Sequence, residues 1–139
     1  MLKPKISPTK KHPSIFVSKV ATGKLLIGLG GFLGAIARYL LSLFITPINN
    51  FPVATLLTNI LGCFLVGLIF GFNIGNKDNL YYFFSIGFLG SFTTMSAFTL
   101  QAVELHNSNQ LFTSYSYILL TILLTIIATI VGINISKQC

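Results

Sequence analysis

Acid is nearly missing from this chain: its 139 residues include two Asp/Glu, two histidines, two cysteines and no tryptophan. General acid–base catalysis and side-chain metal sites draw on those residue types, so the usual enzymatic constellations have almost nothing to be built from. The sequence holds no phosphate-binding glycine loop, zinc-ligand helix, Ser/His/Asp set or redox cysteine pair. Cys63 sits in an apolar run and Cys139 is the last residue, which gives a disulfide framework or thiolate site little support. The chain reads as a protein that is not an enzyme. Charge of either sign is scarce too, at 8% of residues, where a soluble domain carries about a quarter. Nine Lys/Arg and two Asp/Glu cannot coat a globule of this size in water.

What fills the chain is apolar: 53% hydrophobic residues and a mean hydropathy of +0.83. The few charges are segregated. Lys3, Lys5, Lys10, Lys11, Lys19 and Lys24 fall in the first 24 residues and Lys137 lies near the end. Between Leu25 and Ile135 only Arg38, Lys77, Asp78 and Glu104 remain. The net charge of +7 is therefore a basic tail on a nearly neutral body. Residues 1–24, which include Pro4, Pro8 and Pro13, are expected to form an extended, solvated cytoplasmic tail. Its lysines suit an anionic membrane surface rather than nucleic acid. Residues 25–139 are expected to form the membrane domain. The apolar run after Lys24 is too long for a signal peptide and lacks a small-residue cleavage site, so it reads as a retained span.

Four stretches approach the roughly 20 residues that cross a bilayer. They run from about residue 25 to 45, 54 to 72, 80 to 103 and 112 to 135, separated by TPINNFP, NIGNKDN and ELHNSNQ. The expected fold is all-α and integral to the membrane, with four helices joined by short loops. Four spans put the N-terminus, the second loop and the C-terminus on one side. That side holds eight lysines, whereas the loops of the other side hold neither Lys nor Arg. The bias places both termini in the cytoplasm.

Polar residues inside a span are costly and usually have a partner or a task. The first span carries Arg38 two turns beyond a Gly30/Gly34 step, a spacing that lets a second helix approach closely. Arg38 either snorkels or pairs with carbonyls at a helix end. In the second span Thr55, Asn59 and Gly62 share one helical face, and Asn59 offers N–H donors either to an anion or to a neighbouring helix. The third span is densest in small and hydroxyl residues: Gly87, Gly90, Ser91, Thr93, Thr94 and Ser96. Glycine weakens a helix and Ser/Thr compete for its backbone bonds, so this span is expected to break. A break frees carbonyls at membrane depth, a setting that suits a hard cation. In the fourth span Tyr117, Thr121, Thr125 and Thr129 recur every four residues and form one hydroxyl stripe, a wet track or a buried polar seam.

Three strings, GGFLGAIARY, TLLTNILGCFLVG and GFLGSFTTMSAF, occur in this order along the chain. Together they resemble the small fluoride channel family, Fluc, also called CrcB, over about residues 25 to 135. The resemblance implies an antiparallel, dual-topology-type dimer of four-helix subunits that passively exports fluoride across the cell membrane and so lowers its toxicity. It also implies a central structural Na+ held by main-chain carbonyls at the break, those of Gly90 and Thr93. The fluoride pathway it implies comprises Asn59, Thr94, Ser96, Phe98 and the Tyr117/Thr121/Thr125 track, with Arg38 as a structural polar residue. Met95 stands where the family's first pore phenylalanine is usual, and a thioether offers no ring edge to an anion. Ser91, Ala97 and Gln101 also replace the usual Gly, Thr and Glu.

The charge bias and Met95 together raise a second possibility, an orientation-fixed subunit that pairs with an oppositely oriented relative and need not conduct alone. A small multidrug-type exporter would need a carboxylate embedded in the membrane; the first span has none, and Glu104 lies at a span end.

Overall fold

The computed structural model describes residues 13–72 and 79–138, with residues 13–20 described by their backbone alone. Helix α1 runs Pro13–Phe44 and α2 Val53–Gly71. The third span consists of α3, a π-wound stretch Tyr81–Leu89 running on into the turn Gly90–Phe92, and α4, Met95–Asn107. Helix α5 is Leu111–Gln138. Four segments are long and apolar enough to span a membrane: Ala21–Phe44, Val53–Gly71, Tyr81–Asn107 and Leu111–Gln138. The four expected spans and the break in the third are therefore present, and the chain is a multi-pass membrane protein.

The start of α1 corrects one expectation. Residues 13–24 are helical rather than extended, and Pro13 occupies the first helical position, where a missing N–H costs nothing. Hydropathy marks the part of a helix that lipid covers, not its length. The 32 residues of α1 span roughly 48 Å at 1.5 Å per residue, well beyond the roughly 30 Å of hydrocarbon. The lysines at positions 3, 5, 10, 11 and 77, together with Cys139, lie outside the described residues.

The connections are short because asparagine permits sharp reversals. Asn49 and Asn50 take φ of 50° and 65°, and the turn closes with Phe51 N–H on Ile48 O at 2.8 Å. Asn109, φ 60°, turns α4 into α5. A left-handed backbone is tolerated by Asn far better than by a β-branched residue.

Lipid supplies no hydrophobic drive between helices, so close backbone approach has to bring them together. The helices form two tight pairs, α1 along α3 and α2 along α5. In the first, a Cβ at Gly30 would overlap the Phe83 carbonyl and one at Gly34 the Phe88 carbonyl. Phe83 and Phe88 are five apart, and the i to i+5 bonding of the π-wound stretch keeps both over the same glycine face. In the second pair, Gly67 lies against the Thr129 carbonyl and Gly132 against the Phe64 carbonyl. The side-chain core is small: Phe98, Ala102 and Leu105 of α4 close around Tyr117 of α5, with Phe51, Leu56 and Ile118 beside them.

Candidate functional site

The third span stops being helical at Thr93 and Thr94, the positions richest in competing hydroxyls. Thr93 (φ −75°, ψ 153°) and Thr94 (φ −147°, ψ 114°) are extended. Thr94 then caps α4: its Oγ1 accepts the Ala97 N–H at 3.2 Å, the usual reason a threonine starts a helix. Thr93 folds back and donates its hydroxyl to Leu89 O at 2.9 Å.

Two side chains from neighbouring helices hold the break. Asn59, 7% exposed, meets the same residue twice: Thr94 N–H donates to Asn59 Oδ1 at 2.8 Å, and Asn59 Nδ2 donates to Thr94 O at 3.2 Å. One turn along α2, Gly62 leaves room for the Thr93 methyl, which a Cβ there would strike. The face carrying Thr55, Asn59 and Gly62 is buried, as its spacing implied. From α1, Arg38 Nε donates to Ser91 O at 3.2 Å. Of the two readings of Arg38, pairing with a carbonyl near a helix end is the one observed.

The backbone accounting at the break is specific. In an unbroken helix Gly90 O would accept the Thr94 N–H, but that N–H is on Asn59. Thr93 O would accept the Ala97 N–H, but that N–H is on the Thr94 hydroxyl. Leu89 O takes the Thr93 N–H at 3.1 Å, and Ser91 O takes Arg38. Gly90 and Thr93 are two of the carbonyls whose helical donors have been drawn elsewhere. Among the described residues no three His, Cys, Asp or Glu gather to hold a metal.

The other expected residues fall into two groups. Thr94 and Ser96 lie together, their hydroxyl oxygens 3.2 Å apart, and Met95 beside them is 69% exposed. Phe98 instead points into the subunit core, its ring centroid 5.2 Å from that of Tyr117. Tyr117 is fully buried and donates its hydroxyl to Gln101 Oε1 at 3.0 Å. Thr121 and Thr125 donate back to the carbonyls four residues earlier, Tyr117 and Thr121, each at 2.7 Å. Thr129 does the same toward Thr125 at 3.0 Å and also reaches Cys63 O of α2 at 3.3 Å.

A cleft of about 520 Å³ opens at the loop end of the α2/α4/α5 cluster, lined in part by Asn50, Thr55, Gln101, Glu104 and Gln110. It leads toward Thr55, one turn from Asn59. The sequence had singled out Gln101 for its identity alone. Its pairing with Tyr117 joins two helices, and no spacing within one segment reveals it.

Comparison with known proteins agrees with this architecture. Residues 25–133 match the family model described as CrcB-like protein, Camphor Resistance (CrcB). A protein of Flavobacterium psychrophilum named fluoride-specific ion channel FluC is 41% identical over 119 residues, covering 81% of this chain and 94% of the relative. Proteins of the same name from Azobacteroides pseudotrichonymphae and Clostridium perfringens are 38% and 32% identical, covering 77% and 81% of this chain and 90% and 92% of theirs. This chain belongs to the CrcB-like family.

Proposed function

We propose that the protein is a passive fluoride channel of the cell membrane rather than an enzyme, and that it lowers cytoplasmic fluoride by letting the anion leave down its gradient. The observation that carries this reading is family membership over nearly all of the membrane domain, with relatives named as fluoride-specific channels at up to 41% identity. The site chemistry supports it. Fluoride is small and strongly hydrated, so a path through the bilayer has to replace water with N–H, O–H and ring-edge donors while binding weakly enough to release. Fluoride taken up as neutral HF dissociates inside, and efflux then needs no energy-coupling group.

The pathway comprises Asn59, Thr94, Ser96, Phe98, Met95, Tyr117, Thr121 and Thr125. Asn59 spends one Nδ2–H on Thr94 O and keeps the second for the ion. Thr94 and Ser96 add hydroxyls. Phe98, packed on Tyr117 in the core, backs the path from inside, and Met95 is a soft wall in place of a second ring. Thr121 and Thr125 serve by turning hydroxyl protons from their own backbone toward the passing anion. Arg38 is structural.

The functional unit is a dimer. Met95, Ser96 and Thr99 are exposed at the break, and hydroxyls at membrane depth are better covered by protein than by lipid. A central Na+ bound to the carbonyls of Gly90 and Thr93 supplies the positive charge those oxygens need. The bias of eight lysines toward one side of the spans supports cytoplasmic termini. The same bias favours a second reading, an orientation-fixed subunit whose partner is an oppositely inserted relative. Fluoride efflux from reconstituted vesicles tests the channel reading, with this chain alone and with such a partner.

A further inference from the structure

The geometry points to Asn59 as a positioning residue that decides which carbonyls of the break are free to hold a cation. This rests on the Na+ reading above and adds a cause to it. Extended dihedrals at Thr93 and Thr94 end the helix and turn the Thr94 N–H away from Gly90 O, and a part-buried N–H so turned needs another acceptor. What keeps that N–H away is a better-placed acceptor, Asn59 Oδ1 at 2.8 Å. The Nδ2 contact with Thr94 O, 3.2 Å, pins the other side of the same residue so that it cannot turn back. The amide orientation is fixed by this pairing, since the reversed amide would set donor against donor and acceptor against acceptor.

The neighbouring carbonyls are satisfied independently of Asn59. Leu89 O has the Thr93 hydroxyl and N–H, and Ser91 O has Arg38. Removing the Asn59 amide therefore frees the Thr94 N–H and takes one donor from Thr94 O, and leaves Leu89 O and Ser91 O as they are. The Thr94 N–H returns to Gly90 O, the helix lengthens by a residue, and the cation loses a ligand. Gly62, which admits the Thr93 methyl, keeps α2 close enough for Asn59 to reach the break.

This role differs from donating a proton to fluoride, and substitutions separate the two. An aspartate at position 59 loses the donor to Thr94 O and places a negative charge in an anion path, so it reads out the flux role. An alanine removes the acceptor. The test follows thermal unfolding of the purified full-length chain in detergent as NaCl replaces choline chloride at constant ionic strength, and reads the Na+ concentration at half-maximal stabilisation. The expected midpoint rises at least about tenfold for Asn59→Ala, the scale of one net hydrogen bond. It stays within about threefold of the parent for a control away from the break, Gly28→Ala, whose Cβ would meet open space. If Asn59→Ala does not fold, Asn59→Leu, closer in volume, takes its place. A parent that responds to Na+ and an alanine or leucine variant with the same midpoint overturn the positioning role alone. A parent with no Na+ response overturns the cation reading and this inference with it.

Discussion

Asn59 and Thr94, 35 residues apart, are joined by two hydrogen bonds, at 2.8 and 3.2 Å, so that an amide side chain on α2 grips the N–H and C=O of one residue in the third span. The first replaces a bond that an unbroken helix would make for itself, and the second adds a donor to the carbonyl that starts α4. The break is therefore a joint property of two helices rather than a local weakness of one.

Asn59→Asp is expected to lower fluoride flux by at least about tenfold, since it exchanges a donor for an anion in a low-dielectric setting where like charges repel strongly. Fluoride efflux from vesicles reconstituted with equal amounts of parent and variant measures it. Unchanged flux would remove Asn59 from the pathway.

Gly34→Val is expected to separate α1 from α3, because even a Cβ at this position overlaps the Phe88 carbonyl. Overpacking of this kind costs about 1–3 kcal/mol. A glycine facing open space, Gly28, gives the matched control, with nothing within 4 Å of its Cβ position. The yield of folded, monodisperse protein in detergent should fall for Gly34→Val and hold for Gly28→Ala.

Met95→Phe is expected to raise fluoride flux severalfold with little change in melting temperature. The side chain is 69% exposed in the single subunit, so a larger group meets open space rather than core, and a ring restores an electropositive edge beside Thr94 and Ser96. Parallel flux and melting measurements check the two halves of this expectation.

Tyr117→Phe removes a hydroxyl that donates to Gln101 Oε1 at 3.0 Å in a fully buried position. It leaves an acceptor unpaired, at a cost of about 1–3 kcal/mol. Thermal unfolding should show the loss, and Tyr117→Phe combined with Gln101→Leu should recover part of it.

The terminal Cys139 offers a direct topology probe. On the proposed topology, a membrane-impermeant thiol reagent should label it only after the membrane is opened. Partial labelling of intact cells expressing the chain alone would indicate both orientations and a homodimer.

Much of this was legible in the sequence, and the limits have physical causes. The four spans follow from apolar length, and the break from packing Gly, Ser and Thr into the middle of the third. The Thr55/Asn59/Gly62 face follows from helical period. Four features needed the fold. Helix α1 reaches back to Pro13 because backbone bonding continues where hydropathy fades. The π winding of Tyr81–Leu89 carries no residue signature, and it reflects the need to keep Phe83 and Phe88 over Gly30 and Gly34. The hydroxyl stripe of α5 was readable as spacing, but only the structure shows that Thr121 and Thr125 donate to their own backbone. Likewise Ser91 O, held by Arg38 from 53 residues away, is a long-range partner that no motif encodes.

The central claim, selective fluoride passage, is tested most directly by anion efflux from proteoliposomes loaded with fluoride or with chloride. The account predicts rapid fluoride efflux from vesicles holding this chain, alone or with an oppositely oriented family member, and chloride efflux no faster than from protein-free vesicles. Fluoride efflux at the protein-free rate in both arrangements, or equal efflux of chloride, would contradict it.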